Sequence, residues 1–469
     1  MKFNYFNFFH IQEIENSKLL QLLFYCISFS FFVTFYGWIS YSATTISSYI
    51  NGTNVCPPYF LSCGKYYFLQ GLPYGYTQGF FYVLLFLLLG YGVTQAIKSN
   101  WESAHKIILV TFLWKCIWAF VLTYGLAGNF DYYDMILAFV WLFLSNKEYF
   151  SKIAFIFLYF LASSIKIHEG WILGNYFNTL ITGAPFLNTF WTPVFTNILI
   201  FMQMIGAWFL LSSNKVLQKL TYFYFMIFHI YSGIIVDYRY IAISIPALHV
   251  LFDDHTLFKI KAINKKTIAG YLFLLFLLGG QMISILIPGD QKKSLEGNYY
   301  GMYMFEANHQ CFSNAKVYFT DSSKNYEMNS ENHTANNRCD TYRYWYVLKT
   351  ICDRQSLNGL EKISWTFDHS INGHPYERIV DEQNICTLEY KSFSHNDWIK
   401  IDNDAQVLNT PVYKNGYISE INKNIKIPAE TILDNTFLEN FKKTYWCLWY
   451  ATIISIMLFL FYITYKKYE

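Results

Sequence analysis

Apolar residues in this chain gather into long runs separated by short polar breaks, and the run lengths set the first expectation. A helix needs roughly 20 residues to cross an apolar layer about 30 Å thick. Runs of that order lie near 20–42, 78–97, 106–126, 193–212, 217–237, 268–287 and 445–465, with shorter ones at 132–146, 151–165 and 238–253. The pattern predicts a polytopic α-helical membrane protein of about 9–10 spans embedded in a lipid bilayer. Residues 1–19 precede the first span, 20–287 form a multi-span domain with an outer loop at 43–77, and 445–465 form a C-terminal transmembrane helix.

The pattern changes over 288–441, which turn rich in Asn, Asp, Lys, Ser and Tyr. Alternation in KISWTFD puts Ile363, Trp365 and Phe367 on one face, and AKVYF at 315–319 alternates more weakly. This stretch is expected to be an α+β domain long enough to bury its own core. No internal repeat and no low-complexity linker is visible.

Composition agrees with the run lengths: 54% of the residues are hydrophobic, 21% aromatic and only 14% charged. A net charge of +3, spread over many short loops, leaves no basic stripe or arm and argues against nucleic-acid binding. Charge does assign sides. Lys2, Lys18, Lys98, Lys106, Lys147, Lys152, Lys215, Lys219, Lys259, Lys261, Lys265, Lys266, Lys466 and Lys467 fall on one side of the ten runs, against Lys65, Lys166 and Arg239 on the other. The excess of lysine predicts that both termini are cytoplasmic and that 288–441 is extracytoplasmic. The first apolar run is full length and lacks a small-residue cleavage site, so it is expected to stay as an anchor.

Cysteines point the same way. Cys56, Cys63, Cys311, Cys339, Cys352 and Cys386 fall on the outer side, where disulfides persist, whereas Cys26, Cys116 and Cys447 sit in spans as small apolar fillers. The pairing is open at this stage. No CxxC or Cys/His spacing suggests a metal. The sequons at Asn51 and Asn332 also lie outside.

Chemistry concentrates in SSIKIHEGWILG, residues 163–174, where Lys166 stands at the outer end of an apolar span and is followed by His168, Glu169, Trp171 and Gly174. A lysine there either snorkels to the headgroups or pairs with Glu169, or it lines a cavity. The apolar stretch onward to Pro193 is too broken for a helix and too apolar for an exposed loop, which favours the cavity. A desolvated lysine favours its neutral amine and can act as a base. Lys115, in FLWKCIW, is expected to stack on Trp114 or Trp118 or to reach the inner surface. His229 reads as a satisfied core histidine or a supporting group, and Asp237 with Arg239 as a local turn pair. The aromatic spans would suit a flat ligand such as a quinone.

These strings, in this order, resemble the vitamin K-dependent gamma-carboxylases and the wider HTTM (horizontally transferred transmembrane domain) group, as a divergent member. IKIHEGWILG is similar to that family's Lys-x-x-x-x-Trp-x-x-Gly segment, which places its catalytic base on Lys166. YFMIFHIYSG with IAISIPALHVLF places a family histidine on His229. LEGNYYGMYMFEANHQC resembles the Gly- and Tyr-rich segment credited with binding the substrate glutamate, putting Tyr299, Tyr303 and His309 there. ISWTFDHSINGHPYERIVDEQNI resembles the strand, turn and Arg-Ile-x-Asp stretch of the luminal domain. CGKYYFLQGLP resembles the first outer loop, and the resemblance implies a Cys63–Cys352 bridge tying the outer domain to that loop.

What the resemblance implies is a lyase of the carboxylase type. Lys166 would deprotonate reduced vitamin K or another hydroquinone, O2 would convert the quinol to a strong base, and that base would take a γ-proton from a glutamyl side chain, which then captures CO2. Asn129 and Trp171 would support the site, no metal is called for, and the partner would be a glutamate-containing protein or peptide. Two departures stand out. Phe130 occupies the place of a family histidine and cannot carry a proton, and the larger C-terminal luminal sandwich is replaced by the span at 445–465. The alternative is a non-catalytic HTTM membrane protein that binds a quinone or a lipid. A transporter is disfavoured, because buried charges are few and no inverted repeat is seen.

Overall fold

In the computed structural model each of the ten apolar segments winds into a helix. The structure describes residues 4–468, apart from 51–54, 64, 66–75, 123, 125–129, 181–189, 236–239, 254–257, 288–290, 304–305, 333–338 and 402–434. Asn129, Asp237, Arg239 and Asn51 lie outside the described residues.

The helices are α1 (Lys18–Ile50), α2 (Tyr76–Ile97), α3 (Trp101–Ile117), α4 (Phe130–Phe143), α5 (Lys147–Ser164), α6 (Trp191–Met204), α7 (Lys215–Ile235), α8 (Ile241–Phe252) and α9 (Ile268–Leu286). After these come α10 (Thr341–Gln355) in the polar domain and the C-terminal α11 (Asn435–Tyr468). Among the described residues, four segments are long and apolar enough to cross a membrane: Lys18–Tyr36, Trp101–Val121, Ile268–Leu286 and Thr436–Lys466.

Helix α5 is the hub, buried along almost its whole length. Its first turn is capped from outside, because the Asn146 and Lys147 amides donate to the Glu13 carboxylate at 3.0 and 2.8 Å. A carboxylate at a helix start offsets unpaired amides and the positive end of the dipole. Gly270 lets α9 close onto α5, since a Cβ there would stand 2.2 Å from the Phe150 ring. Helix α11 docks on the same hub, where Trp449 stacks on Phe160 at 5.0 Å, and on α6, where the Tyr445 hydroxyl donates to Asn197 at 2.9 Å.

The polar domain is a four-stranded antiparallel sheet in the order β2-β1-β3-β4, built from β1 (His309–Phe319), β2 (Tyr326–Asn332), β3 (Leu360–Ile371) and β4 (Glu377–Glu382). The expected face forms: Ile363, Trp365 and Phe367 are fully buried and pack with Val317, Tyr342 and Trp345 beneath α10. Two strands and a helix, β2, β4 and α10, come in addition to the two strands that alternation predicts.

The pairing of cysteines differs from the one implied by resemblance. Cys63 bonds Cys56, Cys352 bonds Cys386, and Cys311 bonds Cys339. The reason is local. Cys56 and Cys63 face each other across a turn held by the Phe60 and Cys63 amides, and Cys352 near the end of α10 meets Cys386 just after β4. The first loop is still tied to the polar domain, through hydrogen bonds. The Tyr342 hydroxyl donates to the Cys56 carbonyl at 2.6 Å, Ser392 Oγ donates to the Pro58 carbonyl at 2.5 Å, and Val55 enters the sheet core.

Candidate functional site

The chain leaves α5 at Ser164 and breaks into single helical turns, Glu169–Ile172 and Asn175–Asn178, before the described residues pause at 180. Every residue from 165 to 172 is buried. A buried stretch of non-helical backbone must find partners for its amides and carbonyls, and it finds them in the start of β1 and the end of β3.

Asn308 and Asn372 make that seam. Each donates its amide to the other, Asn308 to Asn372 Oδ1 at 2.9 Å and Asn372 to the Asn308 carbonyl at 2.8 Å. Asn308 Nδ2 then reaches the Tyr176 carbonyl and Thr179 Oγ1, both at 2.7 Å. His168 crosses the seam in the other direction. Its Nδ1 accepts the Gly170 amide at 3.1 Å and its Nε2 donates to the Glu306 carbonyl at 2.7 Å. Those two contacts fix the Nε2-protonated tautomer.

Lys166 sits inside this junction, 1% exposed, just past the end of α5. Its Nζ donates to the Ala162 carbonyl at 2.9 Å and lies 5.2 Å from the centre of the Trp171 ring. Among the described residues it forms no ion pair. Glu169, its expected partner in the ion-pair reading, is engaged elsewhere, by Lys292 at 3.3 Å and Lys442 at 3.5 Å. Burial pulls the Lys166 ammonium down to about 7, against the opposing field of Glu306.

The Glu306 carboxylate lies 3.8 Å from His309 Nε2, and His309 Nδ1 meets His369 Nε2 at 3.0 Å. His369 is held well below its ordinary range by burial and then by His309, against a hydrogen bond with the Lys293 backbone. Lys293 itself pairs with Glu377. Lys166, His168, Glu306, His309 and His369 are thus buried titratable residues between the broken segment and the sheet, of which Glu306, His309 and His369 are in side-chain succession.

The other predicted site residues divide. Trp171, 2% exposed, stacks on Tyr176 at 4.8 Å and belongs to the junction. Tyr303 contacts Ser284 Oγ on α9, close to Gln281, whose side chain bridges Ser164 and the Met302 amide. Tyr299 joins a separate tyrosine cluster, stacking on Tyr124 at 5.2 Å and donating to the Ala119 carbonyl at 2.6 Å. His229 is a satisfied core histidine, its ring nitrogens taken by Tyr159 and by Tyr240, the latter at 3.3 Å. Phe130 is the first residue of α4.

Lys115 neither stacks on Trp114 or Trp118 as its principal contact nor reaches a surface. It is fully buried, paired with Asp131 at 2.8 Å and Asp134 at 2.5 Å, and donates to Thr34 at 3.1 Å. Asp134 also accepts from Ser30 at 2.8 Å, so the cluster joins α1, α3 and α4. The two aspartates, three apart at the start of α4, were the available signal. A charge buried in one helix needs its opposite in a neighbour.

No family model, no curated protein and no solved structure matches the chain.

Proposed function

We propose that the chain is a polytopic membrane protein in which Lys166 is the base of a quinol-dependent reaction of the gamma-carboxylase type, with the polar domain on the extracytoplasmic side. One observation carries this reading: a fully buried amine without an ion-pair partner among the described residues, beside a glutamate that two other lysines occupy. An amine held near 7 is partly neutral at physiological pH and can accept a proton. A structural cation would be expected to take the carboxylate three residues away.

A hydroquinone would suit this donor set. Lys166 supplies one basic atom, and Trp171 stacked on Tyr176 supplies a flat aromatic wall at right scale for a planar ring. When bound, reduced vitamin K or another hydroquinone supplies an acidic O–H and the reducing power for O2, with CO2 as the second co-substrate. The chain's own part is to hold Lys166 neutral by excluding water, to orient it through the Ala162 carbonyl, and to fix the junction through His168 and Asn308. A glutamyl-containing peptide would approach from the polar domain, where Tyr303 and His309 border the junction; Tyr299 lies in its own cluster and would act at most on the approach.

The test is turnover in lipid nanodiscs with reduced vitamin K, labelled bicarbonate and a glutamate-rich peptide. The reading expects label incorporation and quinol oxidation that both fall at least a hundredfold in Lys166→Met and are not rescued by Lys166→Arg, whose guanidinium stays charged. Quinol oxidation that is absent, or unchanged in Lys166→Met, overturns it. The second reading, a non-catalytic protein that binds a quinone or lipid, is favoured by the Lys166 to Ala162 hydrogen bond, which can serve as a plain structural tie. Saturable quinone binding without any oxidation would select it.

A further inference from the structure

The bundle end remote from the sheet carries an open cavity. Helix α9 leads from this end toward the polar domain, and α11 returns from that domain to this end, so their 268 and 466 ends meet here. The cavity measures about 540 Å³, within the range of about 300–1,000 Å³ usual for small-molecule sites. Lys261, Lys266 and Lys466 line it with Asn146, Asn264 and Tyr462, and among the described residues no acidic side chain lines it.

The wall is a built one. The 261–267 loop is pinned by Thr267 Oγ1, which donates to the Ala262 carbonyl at 2.8 Å and accepts the Asn264 amide at 2.9 Å. The Lys266 carbonyl is held by Ser145 and the Ile263 amide by Thr464 of α11 at 3.0 Å. Lys261 Nζ spends one hydrogen on Asn146 Oδ1 at 2.5 Å and has further donors. Among the described residues three lysines and no carboxylate line this one cavity, a lining suited to an anion.

What surrounds the cavity says which anion. On α9, Ile268, Leu272, Leu275 and Phe276 are 46–74% exposed at helical spacing along one face, and on α11 Leu458, Phe461 and Tyr465 are 57–70% exposed. Two apolar faces therefore begin at the rim of a basic cavity. A soluble phosphate would use only the lysines, whereas a diacyl phospholipid would use both.

We propose that Lys261, Lys266 and Lys466 form the headgroup site for an anionic phospholipid whose acyl chains lie along the exposed faces of α9 and α11. It rests on the membrane reading and not on the chemistry at Lys166. Basic pockets between helices at a cytoplasmic surface are suited to such headgroups, each lysine being worth roughly fivefold in affinity.

The experiment is native mass spectrometry of the whole protein released from nanodiscs of phosphatidylglycerol mixed with phosphatidylcholine. The site predicts that phosphatidylglycerol is retained at least tenfold over phosphatidylcholine, and that Lys261→Gln with Lys266→Gln and Lys466→Gln abolishes the preference while the triple arginine variant keeps it. Equal retention of the two lipids by the wild type overturns this site alone; failure to incorporate into nanodiscs overturns the membrane reading. Full competition by millimolar inorganic phosphate would mean a free-anion site and also overturns it. If the glutamine variant does not fold, crosslinking of diazirine-labelled phosphatidylglycerol to the wild type decides: label in 258–267 and 458–466 supports the site, and label elsewhere refutes it.

Discussion

Gly170 stands so close to Asn372 that a Cβ on the glycine would lie 2.2 Å from the asparagine Nδ2. The two residues belong to different parts of the molecule, the broken segment after α5 and the turn after β3, and their contact closes the junction around Lys166. Asn372 has φ 51°, in the left-handed region that asparagine and glycine tolerate best, and its Oδ1 holds the Asn308 amide. It therefore cannot swing away without breaking the seam.

Gly170→Val should cost about 1–3 kcal/mol of stability by overpacking, read as a lowered midpoint of thermal unfolding in detergent. Asn372→Gly in the same chain removes the clashing amide while suiting the positive φ, so it should recover part of the loss. A midpoint unchanged by Gly170→Val would mean that the seam is not formed.

Lys115 carries the next expectation. Lys115→Met alone would strand Asp131 and Asp134 inside the bundle, and breaking one partner of a buried pair costs about 3–5 kcal/mol. Adding Asp131→Asn and Asp134→Asn removes the stranded charge and should return most of the stability and yield. Equal yields of the single and triple variants would argue against the cluster.

Non-reducing peptide mapping should recover Cys56–Cys63, Cys311–Cys339 and Cys352–Cys386, and no Cys63–Cys352 peptide. The bridges close loops of 7, 28 and 34 residues. Chain entropy then makes loss of Cys352–Cys386 roughly 1.4 kcal/mol worse than loss of Cys56–Cys63, measured by denaturant unfolding of the paired serine variants.

The helices were legible because run length is a one-dimensional signal: twenty apolar residues must be buried in protein or lipid whatever their partners. Partner choice is not one-dimensional. Lys115 and Asp134 are 19 residues apart and meet only once α3 and α4 pack, and Cys352 could pair with any outer cysteine until α10 placed it beside Cys386. Lys166 was singled out by its own neighbours, but Glu306, His369 and Asn372 lie 140 or more residues away and enter its surroundings only through the sheet. Strands β2 and β4 escaped alternation because residues 326–330 are mostly exposed and β4 contributes a short buried pair, Ile379 and Val380.

His369 sets an acid limit on the polar domain. The folded state keeps it neutral well below its ordinary range, while the unfolded chain takes up a proton below about pH 6.5. Unfolding therefore binds a proton there, and stability falls as pH drops through 6.5 and continues to fall toward the folded value. His369→Gln should flatten the drop in unfolding midpoint between pH 7 and pH 5; an equally steep drop in the variant would place the acid sensitivity elsewhere.

Lys166 makes a prediction of the same sign on the alkaline side. Its ammonium is lowered from 10.5 to about 7 in the folded protein. Between those values the unfolded chain holds a proton that the folded chain has released, so unfolding takes one up and rising pH disfavours it. The stability penalty of burying Lys166 is thus greatest at and below pH 7 and is relieved by about 1.4 kcal/mol per pH unit as pH climbs toward 10.5. Lys166→Met carries no such penalty. It should exceed the wild type in unfolding midpoint by the widest margin at pH 6, and by a much smaller one at pH 9.5, with every other titrating group cancelling between the two chains. A margin that does not change with pH would mean that Lys166 titrates as an ordinary exposed lysine, and the case for it as a base would fall with that result.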